Sequence, residues 1–273
     1  MRLLLDPKPQ NRYAIFMNQK KRFDPKTYKK RPNKRLPADD GQLYIYGLHP
    51  VIAALANKQR FKHTLFATPN ALAKLEAAGA DICVKVKDVT PKKLDEMLGT
   101  DAVHQGVALH VKPIERDALR DLHEKSLVVV LDQVTDPHNV GAILRTACAF
   151  GADAVITTMR FAPQETGVLA KSASGALDYT SLIEVKNLGN AIEELKNHGF
   201  TCLGFDSEAE TALTAHMQSD KLAIVLGAEH KGLRQRTREL CNQMVKLEMK
   251  GPIKSLNVSN AAAIALFAAT SGT

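Results

Sequence analysis

The sequence predicts an α/β protein built on a mainly parallel sheet and preceded by a smaller α/β domain. Three observations carry this. LVVVLDQV (127–134) is continuously apolar as far as Asp132, the pattern of a strand buried on both faces of a parallel sheet. Comparable strands alternate with helical stretches from there to the end of the chain, which is the grammar of α/β folds. Residues 41–112 hold a separate set of short strands and helices, about seventy residues and enough for a compact unit.

Taken in order, QLYIYGLHPVIAALAN predicts a short strand, a turn at Gly47 and a helix from about Pro50 with Val51, Ile52, Leu55 and Ala56 on one side. HTLFATP is a strand, NALAKLEAAGA a helix stopped by Gly79, and DICVKVK an alternating strand. TPKKLDEML is a helix capped by Thr90 with Pro91 in its first position. GVALHVKP closes the unit, and the highly charged IERDALRDLHEKS reads as a linker helix. Beyond it, DAVITT, SLIEVK, FTCLGFD, KLAIVLG and MVKLEM are strands. The helices are TDPHNVGAILRTACAFGA, TGVLAKSASGAL, NLGNAIEELKNHG, the end of AEHKGLRQRTRELC, and the alanine-rich end of PIKSLNVSNAAAIALF. The resulting division is an arm (1–40), a front domain (41–113), a linker (114–126) and a larger domain (127–273).

Composition narrows the function. The chain has 273 residues, 45% hydrophobic and 24% charged, ample for a buried core. The longest strongly apolar run, AAAIALFAA, is too short to span a membrane, and the N-terminus lacks a secretory pattern. Four scattered cysteines offer neither zinc spacing nor a disulfide framework, which points to a reduced, cytoplasmic protein without a metal. The net charge of +8 is confined to residues 1–40, where 12 Lys+Arg stand against 4 Asp+Glu. Phe23 and Tyr28 interleave with those basic residues, so the arm suits a polyanion such as RNA, with rings available to stack on bases. A solvated tail is the plainer reading of the same arm.

Ligands of parallel sheets bind beyond the carboxyl ends of the strands, so three loops matter. In the first, from Asp132 to Arg145, Pro137 presets the helix start and Asp136 or Asn139 can cap it. Gly141 and Ala142 let a backbone or a ligand come close. Val140, Ile143, Leu144 and Ala147 form the core stripe, with Arg145 off it. The second, LGAEHKGL, lacks a dinucleotide fingerprint, but Gly227 ends a buried strand beside Glu229. The third places Ser255 and Asn257 before the final helix, where either can cap it.

In this order, DPHNVGAILRTACAFGA, IVLGAEHKGL and SLNVSNAAAIALF resemble the three motifs of the SpoU/TrmH family of RNA ribose 2′-O-methyltransferases, in the SPOUT superfamily, over about residues 125–270. YGLHPVIAAL and HQGVAL resemble the L30e-like substrate-binding domain of the branch acting on a guanosine of 23S rRNA. The resemblance implies a deep C-terminal trefoil knot, S-adenosylmethionine (AdoMet) held by Gly227, Leu247 and Leu256, and a homodimer whose sites draw on both subunits. It implies a catalytic role for Arg145, with Asn139, Glu229, Ser255 and Asn257 around it. An always-protonated guanidinium is a poor base, so clamping phosphate and the forming alkoxide is its chemically simpler role. The competing readings are a tRNA ribose methyltransferase, a base-modifying SPOUT enzyme, and an RNA-binding ribosome-assembly protein without catalysis.

Overall fold

The computed structural model describes residues 43–114, 127–160, 165–213 and 219–271, apart from 230 and 254. The expected basic arm and the linker helix lie outside these residues, except for Ile114. The front portion runs β1 (Leu43–Tyr46), α1 (Leu48–Ala56), β2 (Lys62–Ala67), α2 (Pro69–Ala77), β3 (Lys85–Asp88), α3 (Pro91–Leu98) and β4 (Val107–Val111). Its four strands lie in the order β1-β4-β2-β3, antiparallel except for β2 with β3. Thr68 and Thr90 cap α2 and α3, accepting from the amides of Ala71 and Lys93, and each is followed by proline at the start of its helix.

Two local expectations change. The helix after Gly47 begins at Leu48, and Ala56 at its end is exposed. The strand expected over DICVKVK is confined to Lys85–Asp88, because its neighbour β2 pairs with it only from Thr64 onward. Ile82 and Val84 pack against the core without joining the ladder.

The second portion runs β5 (Leu127–Asp132), α4 (Pro137–Ala149), β6 (Ala154–Thr158), α5 (Gly167–Ala173), a 3-10 turn (Ala176–Asp178), β7 (Ser181–Val185), α6 (Leu188–Asn197), β8 (Thr201–Phe205), β9 (Thr211–Ala212), β10 (Leu222–Gly227), α7 (Gln235–Leu240), β11 (Gln243–Lys246) and α8 (Val258–Thr270). Seven strands form one parallel sheet, β7-β6-β5-β10-β8-β11-β9. Apolar side chains leave both faces of the central strand β5. Leu127, Val129 and Leu131 enter a core shared with α4, α5, α8 and the front sheet, while Val128 and Val130 enter a second core with α6. The core stripe of α4 is buried as its spacing requires.

Gly141 shows why that helix starts with small residues. A Cβ there would lie 2.5 Å from the Ser172 Cβ and 2.9 Å from the Leu169 carbonyl, so the close approach is that of α5.

A buried polar clasp ties the front portion to the sheet behind it. The Arg60 side chain is fully buried; its Nε donates to Asp178 Oδ1 at 2.7 Å, and its Nη1 lies 2.8 Å from Glu165 Oε1. Asn57 Nδ2 also donates to Asp178, at 2.9 Å, and the Ile114 amide donates to Glu165 Oε2. Burial, reinforced by the charge of Glu165, raises the carboxyl of nearby Glu184 above its ordinary range.

Among the described residues, no helix is long and apolar enough to cross a membrane.

Candidate active site

The strand order decides where a ligand can sit. From β5 the chain builds outward through β6 and β7 on one side; β10, β8, β11 and β9 occupy the other. The direction of winding switches between β5 and β10, whose last residues, Asp132 and Gly227, lie side by side in register. A crevice beyond the carboxyl ends is the expected outcome at such a point.

Two adjoining clefts open there. The first, of about 310 Å³, lies at the ends of β8, β10 and β11 and is lined by Phe205, Asp206, Gly227, Glu229, Leu247, Ser255 and Leu256, among others. The second, of about 340 Å³, lies over the loop after β5 and is lined by Gln133, Asp136 and Asn139, among others. Ala228, Glu229, Lys231 and Val258 belong to both, so Glu229 stands on the wall between them.

Each loop is held by a specific contact. Gly227 is packed under its own loop. A Cβ there would fall 2.1 Å from the Gly232 carbonyl carbon and 2.4 Å from the Leu233 nitrogen. The loop folds back because the Gly232 amide donates to the Ala228 carbonyl at 2.8 Å and Gly232 takes a left-handed φ of +61°. Glycine at 227 is thus needed for the loop itself. Beneath the loop, the fully buried Asp132 carboxylate accepts from the Arg234 amide at 3.0 Å and from its Nε at 2.7 Å. This pair locks the end of β5 to the loop after β10, and a charge buried this deeply requires such a partner.

The first and third loops meet through two asparagines. Asn257 caps α8, its Oδ1 accepting from the Ser259 amide at 2.8 Å and from the Ser259 hydroxyl at 2.6 Å. Its Nδ2 donates to Asn139 Oδ1 at 3.1 Å. Ser255, expected as a possible cap, is exposed and faces the first cleft. Asp136, and not Asn139, caps α4, which leaves the Asn139 amide free of capping and directed to this contact. On the far wall Arg238 pairs with Asp206. Gly227, Glu229, Leu247, Ser255 and Leu256 share one cleft, and Asn139 and Asn257 meet beside it.

Arg145 is the exception. It is exposed on α4, six residues beyond Asn139, about 9 Å along the helix axis, and lines neither cleft.

The model of the SpoU rRNA methylase family matches residues 126–267, the stretch that carries all three loops. The chain belongs to this family. A second family model, described as RNA 2′-O ribose methyltransferase substrate binding, matches residues 44–116. Among curated relatives, the 23S rRNA (guanosine-2′-O-)-methyltransferase RlmB of Pseudomonas putida is 38% identical over 82% of this chain and 94% of its own. The protein of the same name from Nitrosomonas europaea is 43% identical over 64% of this chain and 69% of its own. Solved structures share the fold. AviRb of Streptomyces viridochromogenes, a SpoU methyltransferase in complex with AdoMet, aligns with a TM-score of 0.70 at 23% identity over 85% of this chain and 90% of its own. The AdoMet-bound rRNA methyltransferase of Sinorhizobium meliloti aligns with a TM-score of 0.72 at 22% identity over 85% and 88%.

In the sequence Asp132 reads only as a strand end. A carboxylate closing a wholly apolar run was the available signal for its role. Its partner, Arg234, carried none, being 102 residues away. Burial pushes the thiols of Cys202 and Cys241 up to about 11 and about 12, so neither supplies a thiolate near the sheet at neutral pH.

Proposed function

We propose that the chain transfers the methyl group of AdoMet to the 2′-hydroxyl of a guanosine in 23S rRNA. The observation that carries this is the pair of clefts at the β5–β10 switch, built from the three loops that the family model spans. The relatives named for 23S rRNA guanosine methylation favour rRNA over tRNA.

The first cleft suits AdoMet, since its size falls in the range of small-molecule sites. Gly227, Leu247 and Leu256 would hold it, with Asp206 on the wall as an acceptor for a ribose hydroxyl. Bound AdoMet supplies an already activated methyl group. The protein's task is then to align the attacking alcohol and ease loss of its proton. The second cleft would take the target ribose, with Asn139 and Asn257 as neutral hydrogen-bonding groups and Glu229 between the two ligands. Ser255 stands at the mouth of the first cleft, within the same loop.

Arg145 fits this scheme as a residue given to a second copy. α8 exposes Ile264 and Phe267 (58% exposed) on one face, and Phe267 meets Phe150 at the end of α4 with ring centroids 6.2 Å apart. A homodimer formed here would cover that apolar face and carry Arg145 toward the partner's cleft. The C-terminal trefoil knot is supported by the path of the chain. It leaves β11 on the outer side of β8, lines the first cleft with Leu247, Met249, Ser255 and Leu256, and returns as α8 to pack on α4 and β10. The front portion would serve as an L30e-like RNA-binding domain, and a cytoplasmic location follows from the proposed substrate.

The test supplies the chain with methyl-labelled AdoMet and transcripts of 23S rRNA and of tRNA, then maps alkali-resistant linkages. Alkaline cleavage needs a free 2′-hydroxyl, so methylation protects the linkage. Label at one resistant guanosine linkage in rRNA is expected. Label on a base, or on tRNA alone, would overturn the reading.

Gly227→Ala probes the cofactor cleft. Its Cβ must displace the Gly232–Leu233 backbone, and overpacking of this kind costs about 1–3 kcal/mol. Displacing that backbone reshapes the cleft wall, so calorimetry on the folded variant should show weakened AdoMet binding. Unchanged affinity would remove this loop from the cofactor site.

A further inference from the structure

The front sheet carries a feature that methyl transfer does not require. On one side of the sheet, side chains from three strands form a run of stacked rings. His63 lies on His110 with centroids 4.5 Å apart and planes 20° apart; His110 lies on Tyr44 at 5.0 Å and 26°. Phe61 and His63 meet edge to face at 4.7 Å, and Phe66 and Tyr44 likewise at 6.1 Å. A bulge explains how His63 joins them. The β2–β4 register shifts between Lys62 and Thr64, so His63 escapes strict alternation and comes to rest over His110. α3 covers only the other part of this face, through Tyr46, Ala108 and Leu94. The Phe61 and His63 end is exposed, with Phe61 at 56%.

Lysines border the rings, and the acidic residues on α3 have partners of their own, Asp95 with His104 and Glu96 with Lys93. Lys112 lies over Phe61 at 5.1 Å and Lys87 over Phe66 at 5.3 Å. Lys85 is on the same side of the sheet, since it pairs with Thr64 as Lys87 pairs with Phe66. The described strand residues on this side (Tyr44, Tyr46, Thr64, Phe66, Lys85, Lys87, Ala108 and His110) include no carboxylate. Exposed rings bordered by lysines are what unpaired nucleotides bind, the bases stacking and the phosphates meeting the ammonium groups.

The geometry points to a base-stacking platform on the front sheet, in which Phe61 and His63 receive an unpaired base of the RNA substrate and Lys112 meets the adjacent phosphate. This rests on the RNA-modifying reading above and gives the front portion a definite binding mode, through its sheet face and a single-stranded segment.

The test uses the full chain and a fluorescently labelled, unstructured RNA decamer of mixed sequence. Phe61→Leu and His63→Leu keep apolar bulk but remove the stacking face, and both sites are exposed. Each should weaken binding roughly five- to a hundredfold, the range for one stacked base. Phe61→Tyr should stay near wild type, and the salt slope should not change in any of the three, because no phosphate contact is lost. Decamers carrying 4-thiouridine should cross-link to residues 61–63. Wild-type affinity in both leucine variants, or cross-links only elsewhere, would overturn the proposal. So would self-association that Phe61→Leu abolishes while RNA affinity holds. On rRNA, Phe61→Leu should raise KM and leave turnover at saturation unchanged. A wild-type chain that binds the decamer but methylates no RNA would instead overturn the methyltransferase reading and leave the platform standing.

Discussion

Arg145→Ala is expected to lower single-turnover methyl transfer by roughly two to three orders of magnitude, the scale for losing one preorganised donor where charge develops. Folding and AdoMet binding should be nearly unchanged. Arg145 is exposed on α4, outside the stripe that packs into the core, and it borders neither cleft of its own chain. Its substitution therefore removes no buried contact and no cofactor contact within that chain. Arg145→Lys should recover little, because an ammonium cannot reproduce the planar fork of the guanidinium. The intermolecular reading has a sharper test. If the chain forms the proposed homodimer, chains carrying Arg145→Ala mixed with chains carrying Gly227→Ala would give mixed dimers in which one site combines an intact cleft with an intact arginine. The assay uses AdoMet too dilute to fill the altered cleft. Activity should return on mixing. If it does not, the arginine and the cleft do not complement one another between chains, and near-wild-type turnover by Arg145→Ala alone would end its catalytic assignment.

Arg60→Ala is expected to destabilise the fold by about 3–5 kcal/mol, the cost of stripping one partner from a buried ion pair. Asp178 would keep only the Asn57 amide, and its side chain is 2% exposed. Glu165 would keep the Ile114 amide while losing its guanidinium partner. Urea unfolding should show a lower midpoint. A slope that also changes would mean that the front portion now unfolds separately from the sheet behind it. A midpoint equal to wild type would show that the clasp contributes nothing to stability.

Much of the fold was legible in the sequence because burial is two-sided there. LVVVLD has no polar alternation to misread, and Thr90-Pro91 announces a helix start that the structure reproduces. The failures have local causes. Lys85–Asp88 is wholly exposed, so its extent depends on where β2 can pair, and Thr211–Ala212 is too short to leave a pattern. α5 ends at Ser174 in a left-handed conformation without a glycine at that position. The candidate site was legible only as three loops taken together. That Asn257 touches Asn139 across 118 residues, or that Arg60 turns inward to Asp178, is a property of the packing, and no residue near either partner signals it.

The strand order also bears on how the protein is made. β10 completes the crevice beside β5, about ninety residues behind it in the chain, and Asn257 must then come back to Asn139. Pairings across such separations are slow, since loop closure is lost before any contact compensates it. During synthesis the end of β5 waits with the Asp132 carboxylate unpartnered until Arg234 has left the ribosome. The half-made sheet exposes an open parallel edge in that interval, the kind of surface on which chains aggregate. A small molecule that fits only the finished clefts favours the completed chain by mass action, so a cell's supply of it would help determine how much of this protein reaches its final form.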